Sequence, residues 1–184
     1  MKNKGLSIRG MIYASIFGAV TAAGAYIMIP LPPVPITLQT AFLSLAAALL
    51  GGRLGALSQV VYLLIGIIGF PVFAGGKAGL GVLLGPTGGY LIGFIAGAYV
   101  IGKLVEMRQR PGFIWIVFSM VIGTVVIYLF GVTQLSLIAR LSIDKAITVG
   151  VLPFLIGDTL KILVAALIAV KIRRDKVGIK GLRN

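Results

Sequence analysis

The stretch VGVLPFLIGDTLKILVAALIAV, residues 149–170, is largely apolar but contains two opposite charges, Asp158 and Lys161. It is long enough to cross a membrane, since a transmembrane helix needs about 20 apolar residues. On a helix the two charges, three residues apart, lie one turn apart on the same face. A charge at membrane depth costs about 2.5–3.5 kcal/mol on insertion scales, so this pair is expected to face the protein interior or a water-filled cavity. The ion pair could serve helix packing alone, or it could form a binding site. We favour the binding site, because ionisable residues within a membrane usually have a function.

The composition indicates an integral membrane protein with a single domain, residues 1–184. Hydrophobic residues make up 59% of the chain and charged residues 11%, whereas soluble domains carry about 25% charged residues. The sequence has no cysteine and no histidine, which excludes disulfides, thiolate chemistry and histidine-based proton relays. Its four acidic residues are too few for a carboxylate metal cage, so we expect no metal and no cofactor.

The hydropathy pattern predicts an all-α protein with six transmembrane helices, at about 8–29, 36–50, 54–70, 88–105, 113–130 and 149–170. The second and third segments are short, and Gly51-Gly52-Arg53 separates them. They could form two helices or a re-entrant hairpin, and we favour two helices because together they reach about twice the minimum crossing length. The longest connection, 131–148, could contain a short interfacial helix.

The basic residues are distributed as in a membrane protein with both termini in the cytoplasm. With six crossings, thirteen of the 17 Lys and Arg residues fall on the side of the termini, six of them between Lys171 and Arg183. Three basic residues, Lys77, Arg140 and Lys145, fall on the opposite side. Because cytoplasmic segments carry an excess of Lys and Arg, this asymmetry favours cytoplasmic termini. It does not indicate a nucleic-acid partner, since the sequence shows no base-reading module.

A second informative stretch is GFPVFAGGKAGLGVLLGPTGG, residues 69–89, in which seven glycines follow Gly69. Such a backbone can reach positive φ and approach a ligand closely. An apolar irregular loop at membrane depth is tolerated where it is buried in protein or lines a cavity. We therefore expect a lid over a small-molecule pocket at about 71–87, with the amides of Gly75 and Gly76 as donors. The alternative is that these glycines serve helix packing.

Lys77 is the single charged residue of this loop. A lone ammonium above an apolar cleft suits a carboxylate substrate, although a solvated loop lysine is nearly as good an interpretation. The loop is not a Walker A motif, because it lacks the required glycine spacing and a Ser or Thr after the lysine. The chain therefore cannot hydrolyse ATP alone, and uphill uptake would require a partner that supplies energy.

The first apolar segment carries small residues at four-residue spacing, Ala14, Gly18 and Ala22, next to a parallel set, residues 15, 19 and 23. Such a stripe lets another helix approach closely, either within the chain or on a partner. Polar side chains just inside the second segment, Gln39 among them, could bind a ligand or another helix. Aromatic residues that could line a pocket or pack in the membrane are Tyr26, Phe70, Phe73, Tyr90 and Phe94.

Four blocks together resemble one known family. They are VPITLQT at 34–40, GFPVFAGG at 69–76, LGPTGGY at 84–90 and GDTLK at 157–161. In this order they are similar to the BioY family, the biotin-specific substrate-binding components, or S components, of energy-coupling-factor (ECF) vitamin transporters. The match extends over nearly the whole chain, and the LGPTGGY block with the downstream Asp-x-x-Lys is its most specific part.

The resemblance implies a six-helix protein of the prokaryotic cell membrane with a biotin pocket near the outer face. Asp158 and Lys161 would contact the ureido ring of biotin, whose two N–H groups and one C=O match a carboxylate and an ammonium. Lys77 would meet the valerate carboxylate, although some family members carry an arginine where this chain has Leu91. The further pocket residues would be Gln39, Gly75, Gly76 and Tyr90.

The resemblance also implies partners. The stripe Ala14, Gly18 and Ala22 would dock on a transmembrane coupling subunit, which works with two cytoplasmic ATPases. Such a component is thought to topple in the membrane and release its vitamin inward. Two other functions remain as alternatives: a secondary carrier with Asp158 as its proton or sodium site, which the absence of repeats disfavours, and a lipid-modifying enzyme, which the lack of histidine, thiol and clustered acids disfavours.

Overall fold

The structure is a computed structural model and describes residues 7–174. The regular secondary structure of this part is helical, with one pair of two-residue strands, β1 (Met28–Ile29) and β2 (Ile36–Thr37), which pair antiparallel. The helices are α1 (Ile8–Tyr26), α2 (Gln39–Leu50), α3 (Gly52–Ile67), α4 (Leu80–Leu84), α5 (Gly88–Glu106), α6 (Phe113–Ala139), α7 (Ile143–Gly150) and α8 (Leu155–Arg174). A short 3-10 turn, Leu152–Phe154, precedes α8.

Local signals in the sequence explain where several helices begin and end. Ser7 caps α1, since its hydroxyl oxygen accepts the amide of Gly10 at 3.1 Å. Gly51 separates α2 from α3 with a φ of 84°, a value that glycine adopts without steric cost. Residues 36–70 therefore contain two separate helices joined at one glycine, and the prediction that each of them crosses the membrane stays a prediction.

Among residues 7–174, four helical stretches are long and apolar enough to cross a membrane: Ile8–Tyr26, Gly88–Glu106, Phe113–Ala139 and Ile143–Arg173. Helices α2 and α3 are apolar but shorter. Helix α1 ends at Tyr26, three residues before the predicted boundary. Helix α6 extends to Ala139, well beyond the predicted end at 130, and the connection that follows contains the short helix α7.

The polar residues near the end of α6 explain its length. Thr133 donates to the carbonyl of Leu129 at 2.7 Å, and Ser136 donates to the carbonyl of Leu141 at 2.7 Å. These side chains bond to backbone carbonyls near them, so they do not interrupt the helix. The helix ends only at Arg140, which adopts a left-handed conformation with φ 52°.

Small residues bring the helices into close contact at one end of the bundle. Gly102 of α5 lies directly against Gly51 and Gly52, so that a Cβ on Gly102 would collide with their backbone. Arg173 of α8 donates to the carbonyl of Ala48 at 2.7 Å at the same end. We call this end of the bundle, around Gly51, Gly102 and Arg173, the closed end. The basic residues predicted to mark cytoplasmic termini at positions 2 and 4 and beyond 174 lie outside the described residues.

Candidate functional site

The opposite end of the bundle, which we call the cavity end, contains a cavity beneath the loop that precedes α5. Helices α2, α5, α6 and α8 form its walls, while the proline-rich segment after β1 and the 71–87 loop cover it. The lining residues are Pro33, Val34, Pro35, Thr37, Gln39, Thr40, Phe73, Ala74, Lys77, Val82, Thr87, Tyr90, Leu91, Phe94, Thr124, Ile127, Tyr128, Phe154, Asp158 and Lys161.

Asp158 and Lys161 form a buried ion pair in the wall of this cavity. Lys161 Nζ lies 2.8 Å from Asp158 Oδ1, and the two side chains are 11% and 9% exposed, lysine first. The three-residue spacing on α8 places both groups on one face, as expected from the sequence. Both are thus held at the cavity surface with little access to water, where charge-assisted hydrogen bonds are stronger than in solvent.

Two further side chains from other helices complete this polar cluster. The Tyr128 hydroxyl of α6 donates to Asp158 Oδ2. The Thr40 hydroxyl of α2 lies 3.4 Å from Asp158 Oδ1 and 3.4 Å from Lys161 Nζ. The cluster therefore joins α2, α6 and α8 and fixes the orientation of the carboxylate.

Tyr128 is a cavity residue that the sequence did not reveal. A tyrosine within a strongly apolar segment is usually read as a packing or interfacial residue. Its partner Asp158 is 30 positions away on another helix, so no local spacing connects the two. The available signal was that a phenol buried in a membrane bundle needs a hydrogen-bond partner, for which a buried carboxylate is a strong candidate.

Gln39 takes part in a second polar chain, which runs from Thr37 to the 71–87 loop. Thr37 donates to Gln39 Oε1 at 2.8 Å, and Gln39 Nε2 donates to the hydroxyl of Tyr62 on α3. The Tyr62 hydroxyl in turn donates to the carbonyl of Val72 at 3.1 Å. Gln39 thus lines the cavity and bonds to another helix, while its contact with a ligand stays a prediction.

The 71–87 loop is more ordered than a flexible linker. Phe73 and Lys77 form a one-residue bridge, in which the Phe73 amide donates to the Lys77 carbonyl at 3.0 Å. Within the loop lies the short helix α4. Gln134 of α6 holds the end of α4, since its amide donates to the carbonyls of Leu83 at 2.6 Å and Gly85 at 2.8 Å. The loop therefore has defined contacts on both sides of its glycine-rich turn.

The loop residues predicted as ligand contacts have different positions. Lys77 lines the cavity although its side chain is exposed. Gly75 and Gly76 form the tip of the turn, with φ values of 74° and 70°, and are not among the lining residues. The Gly76 amide donates to the Phe73 carbonyl at 3.0 Å. Direct ligand contact by the two glycines therefore stays a prediction.

The aromatic candidates also separate into two groups. Tyr90, Phe73 and Phe94 line the cavity, and the Tyr90 hydroxyl donates to the carbonyl of Gly150 at 2.8 Å. Tyr26 and Phe70 are outside the lining set and are each 59% exposed. The buried rings provide apolar lining in the same cavity as the Asp158 cluster, so the cavity offers both polar and apolar surface.

The small-residue stripe on α1 packs within the chain. Ala14 and Gly18 are buried, and a Cβ on Gly18 would lie 2.9 Å from the carbonyl oxygen of Ser58 on α3. Ala22 is half-buried beside them. Docking of a partner at Ala14 and Gly18 is disfavoured, since both are buried and Gly18 lies against α3, while docking at the half-buried Ala22 stays a prediction. The parallel set, Ser15, Ala19 and Ala23, is exposed.

The geometry suits reversible binding of a small molecule with both polar and apolar parts. The Asp158 cluster offers a carboxylate acceptor and an ammonium donor side by side. Lys77 adds a positive charge at the cavity mouth, and the aromatic side chains provide apolar contact. Among the described residues, no group of three or more acidic residues that could hold a metal ion is found.

Comparisons with known proteins show the family to which the chain belongs. The model of the BioY family matches residues 1–176. The chain belongs to the BioY family. Among curated relatives of the family, the biotin transporter BioY of Thermotoga maritima is 48% identical over 170 residues, which cover 92% of this chain and 99% of the relative. The biotin transporter BioY of Rhizobium etli is 38% identical over 173 residues, covering 89% and 92%.

A solved structure extends the similarity to the fold. The crystal structure of the S-component for biotin from an ECF-type ABC transporter matches with a TM-score of 0.84 and 26% identity, over 95% of each chain. Together with the four long apolar helices among residues 7–174, this establishes a multi-pass membrane protein with an ECF S-component fold.

Proposed function

We propose that this chain captures biotin at the outer face of a prokaryotic cell membrane and is the substrate-specific subunit for its uptake by an ECF-type transporter. Its relatives are named as biotin transporters. The single observation that carries the proposal within this chain is the buried Asp158–Lys161 pair in the cavity wall. A charged pair at membrane depth is expensive, and a polar ligand that needs both groups accounts for its presence.

The hydrogen-bonding capacity of the cluster supports a ureido ligand. An ionised carboxylate has about four lone-pair sites, and Asp158 uses three of them for Lys161, Thr40 and Tyr128. At least one site on Oδ2 is left for a ligand N–H. Lys161 has three N–H groups, of which two contact Asp158 and Thr40, so the third can donate to the ureido carbonyl.

The remaining parts of biotin match the rest of the cavity. The apolar chain and thioether ring would contact Phe73, Tyr90 and Phe94. The valerate carboxylate would extend to the cavity mouth, where Lys77 supplies a positive charge. The 71–87 loop would act as the lid, excluding water and thereby strengthening the polar contacts beneath it.

The membrane arrangement belongs to the same proposal. Six crossings arise if α2 and α3 cross as a short pair beside the four longer stretches. With this count both termini are cytoplasmic, in agreement with the excess of basic residues on that side. The cavity end then faces outward, where a nutrient would be captured, and the closed end faces the cytoplasm.

Uptake would require an energy source outside this chain. The sequence contains no Walker A motif, so the proposal includes a transmembrane coupling subunit and two cytoplasmic ATPases. We place the docking face for the coupling subunit on the exposed small residues Ser15, Ala19 and Ala23 of α1. Ala19→Leu should spare biotin binding and impair uptake, whereas unchanged uptake would place the docking face elsewhere.

The function can be tested in cells that lack biotin uptake of their own. Cells that express the chain with the coupling subunit and both ATPases should accumulate labelled biotin, and removal of the ATPases should abolish this accumulation. Undiminished uptake without the ATPases would instead identify a secondary carrier. If a correctly inserted chain neither supports biotin accumulation nor binds biotin, the proposed substrate is rejected.

A further inference from the structure

A groove at the closed end of the bundle is separate from the ligand cavity. It lies between the α5–α6 connection and the first two turns of α6. Its lining residues are Arg108, Gly112, Phe113, Ile114, Trp115 and Phe118. Ile114 is 83% exposed and Phe118 47% exposed, so these apolar side chains face outward from the bundle. On a membrane protein such a surface is covered by lipid acyl chains.

The positive charge beside this groove is held in place. The Arg108 guanidinium carbon lies 4.0 Å from the centre of the Trp115 ring, a close cation–π contact. Trp115 is itself fixed, since its indole Nε1–H donates to the carbonyl of Leu104 at 2.8 Å. The Trp115 and Phe118 rings also pack with their centres 5.4 Å apart. Arg108 is thus positioned where the apolar groove meets the polar connection.

The charge around the groove is not balanced by acidic residues. Neither of the ion pairs described in the structure, Lys103–Glu106 and Lys161–Asp158, involves Arg108 or Arg110. Both arginines are exposed. A membrane-surface arginine without a carboxylate partner attracts anionic lipid headgroups, and the planar guanidinium can bond a phosphate through two N–H groups.

We propose that this groove binds one anionic phospholipid. Its phosphate bonds to Arg108, and one acyl chain runs along Phe113, Ile114 and Phe118. Arg110 favours a headgroup with net negative charge over a zwitterionic one. The occupant is a lipid and not a free phosphate, because the lining of the groove other than Arg108 is apolar or backbone and matches a hydrocarbon chain. This site is independent of the proposed biotin function.

The test is lipid binding by the purified full-length chain in detergent, measured by native mass spectrometry. Phosphatidylglycerol and phosphatidylcholine are titrated separately, and inorganic phosphate is added as a competitor. We expect saturable binding of one phosphatidylglycerol, weaker binding of phosphatidylcholine and no competition by millimolar phosphate. Arg108→Gln should weaken phosphatidylglycerol binding about fivefold, the effect of one basic residue near an anionic lipid.

Two further variants make the test specific. Arg53→Gln removes the same charge from an exposed arginine at the closed end, outside the groove, and should leave the affinity unchanged. Ile114→Ser alters the exposed apolar wall and should weaken both lipids. Equal losses in Arg108→Gln and Arg53→Gln, equal affinity for the two lipids, or full competition by phosphate would overturn the proposal. Thermal unfolding verifies that each variant is folded. If Arg108→Gln does not fold, Ile114→Ser still tests the groove.

Discussion

The two ends of the contact between α2 and α8 differ in the side chains that fill it. Toward the closed end both helices carry buried alanines, among them Ala48 on α2 and Ala166 and Ala169 on α8. Toward the cavity end the same helices carry larger polar side chains around Asp158. Small residues let helices approach closely at the closed end, whereas at the cavity end polar side chains join the helices by hydrogen bonds beside the cavity. The difference separates the part of the bundle that maintains the fold from the part that binds.

The largest effect is expected from breaking the ion pair on one side. Lys161→Met leaves Asp158 charged and uncompensated in the bundle, which costs about 3–5 kcal/mol for a buried pair. The melting temperature in detergent should fall strongly, and biotin binding should be lost. In the double variant with Asp158→Asn, stability should largely recover while binding remains absent. A Lys161→Met variant as stable as the parent would show that the cluster is open to water.

A smaller loss is expected at the closed end. Gly102→Ala places a methyl group against the backbone of Gly51 and Gly52, and overpacking of this kind costs about 1–3 kcal/mol. The melting temperature should fall, but the affinity for biotin below that temperature should not change. The matched control is Gly81→Ala, where the added Cβ has no neighbour within 4 Å. Equal melting temperatures of Gly102→Ala and Gly81→Ala would show that the closed end is not packed more tightly than the cavity end.

The third prediction concerns orientation of the carboxylate. Tyr128→Phe removes the hydroxyl that donates to Asp158, and a hydrogen bond to a charged group contributes about 1.5 kcal/mol or more. Biotin should bind about tenfold more weakly by calorimetry. Tyr99→Phe, at a tyrosine of α5 outside the cavity lining, is the control and should bind normally. An undiminished affinity of Tyr128→Phe would mean that Tyr128 is not required to position Asp158 for biotin.

The smallest effect is expected at the cavity mouth. Lys77 is exposed, and exposed charge pairs contribute about 0.2–1 kcal/mol. Lys77→Ala should therefore weaken biotin by at most about fivefold and should hardly change the binding of biotin amide, which lacks the carboxylate. Lys145→Ala, at another exposed lysine, should affect neither ligand. Equal losses for biotin and biotin amide would remove Lys77 from carboxylate recognition.

Local sequence patterns predicted the parts of this structure that depend on nearby residues. The Asp158–Lys161 pair follows from a three-residue spacing on one helix. The break between α2 and α3 follows from adjacent glycines at 51 and 52. The position of Lys77 at the cavity mouth follows from its place as the one charge in an apolar loop. Each of these features requires only residues within a few positions of one another.

Features that depend on distant partners were not predictable in the same way. The amide of Gln134 bonds to the carbonyls of Leu83 and Gly85, about fifty positions earlier in the chain. Tyr128 has its partner on another helix. On α1, two parallel small-residue stripes have the same spacing, and only the position of α3 decides which one is buried. Tertiary packing supplies this information, and a single sequence does not contain it in readable form.

The most direct test of the central claim is calorimetric titration of biotin into the purified chain beside Asp158→Asn. The substitution preserves shape but replaces an acceptor carboxylate with a neutral amide, which presents two N–H donors toward the ligand and its partners. We expect tight one-to-one binding by the parent chain and loss of at least two orders of magnitude in affinity by the variant, about 2.7 kcal/mol. Equal affinity of two well-folded proteins would contradict the assignment of Asp158 and Lys161 as the polar anchor for biotin.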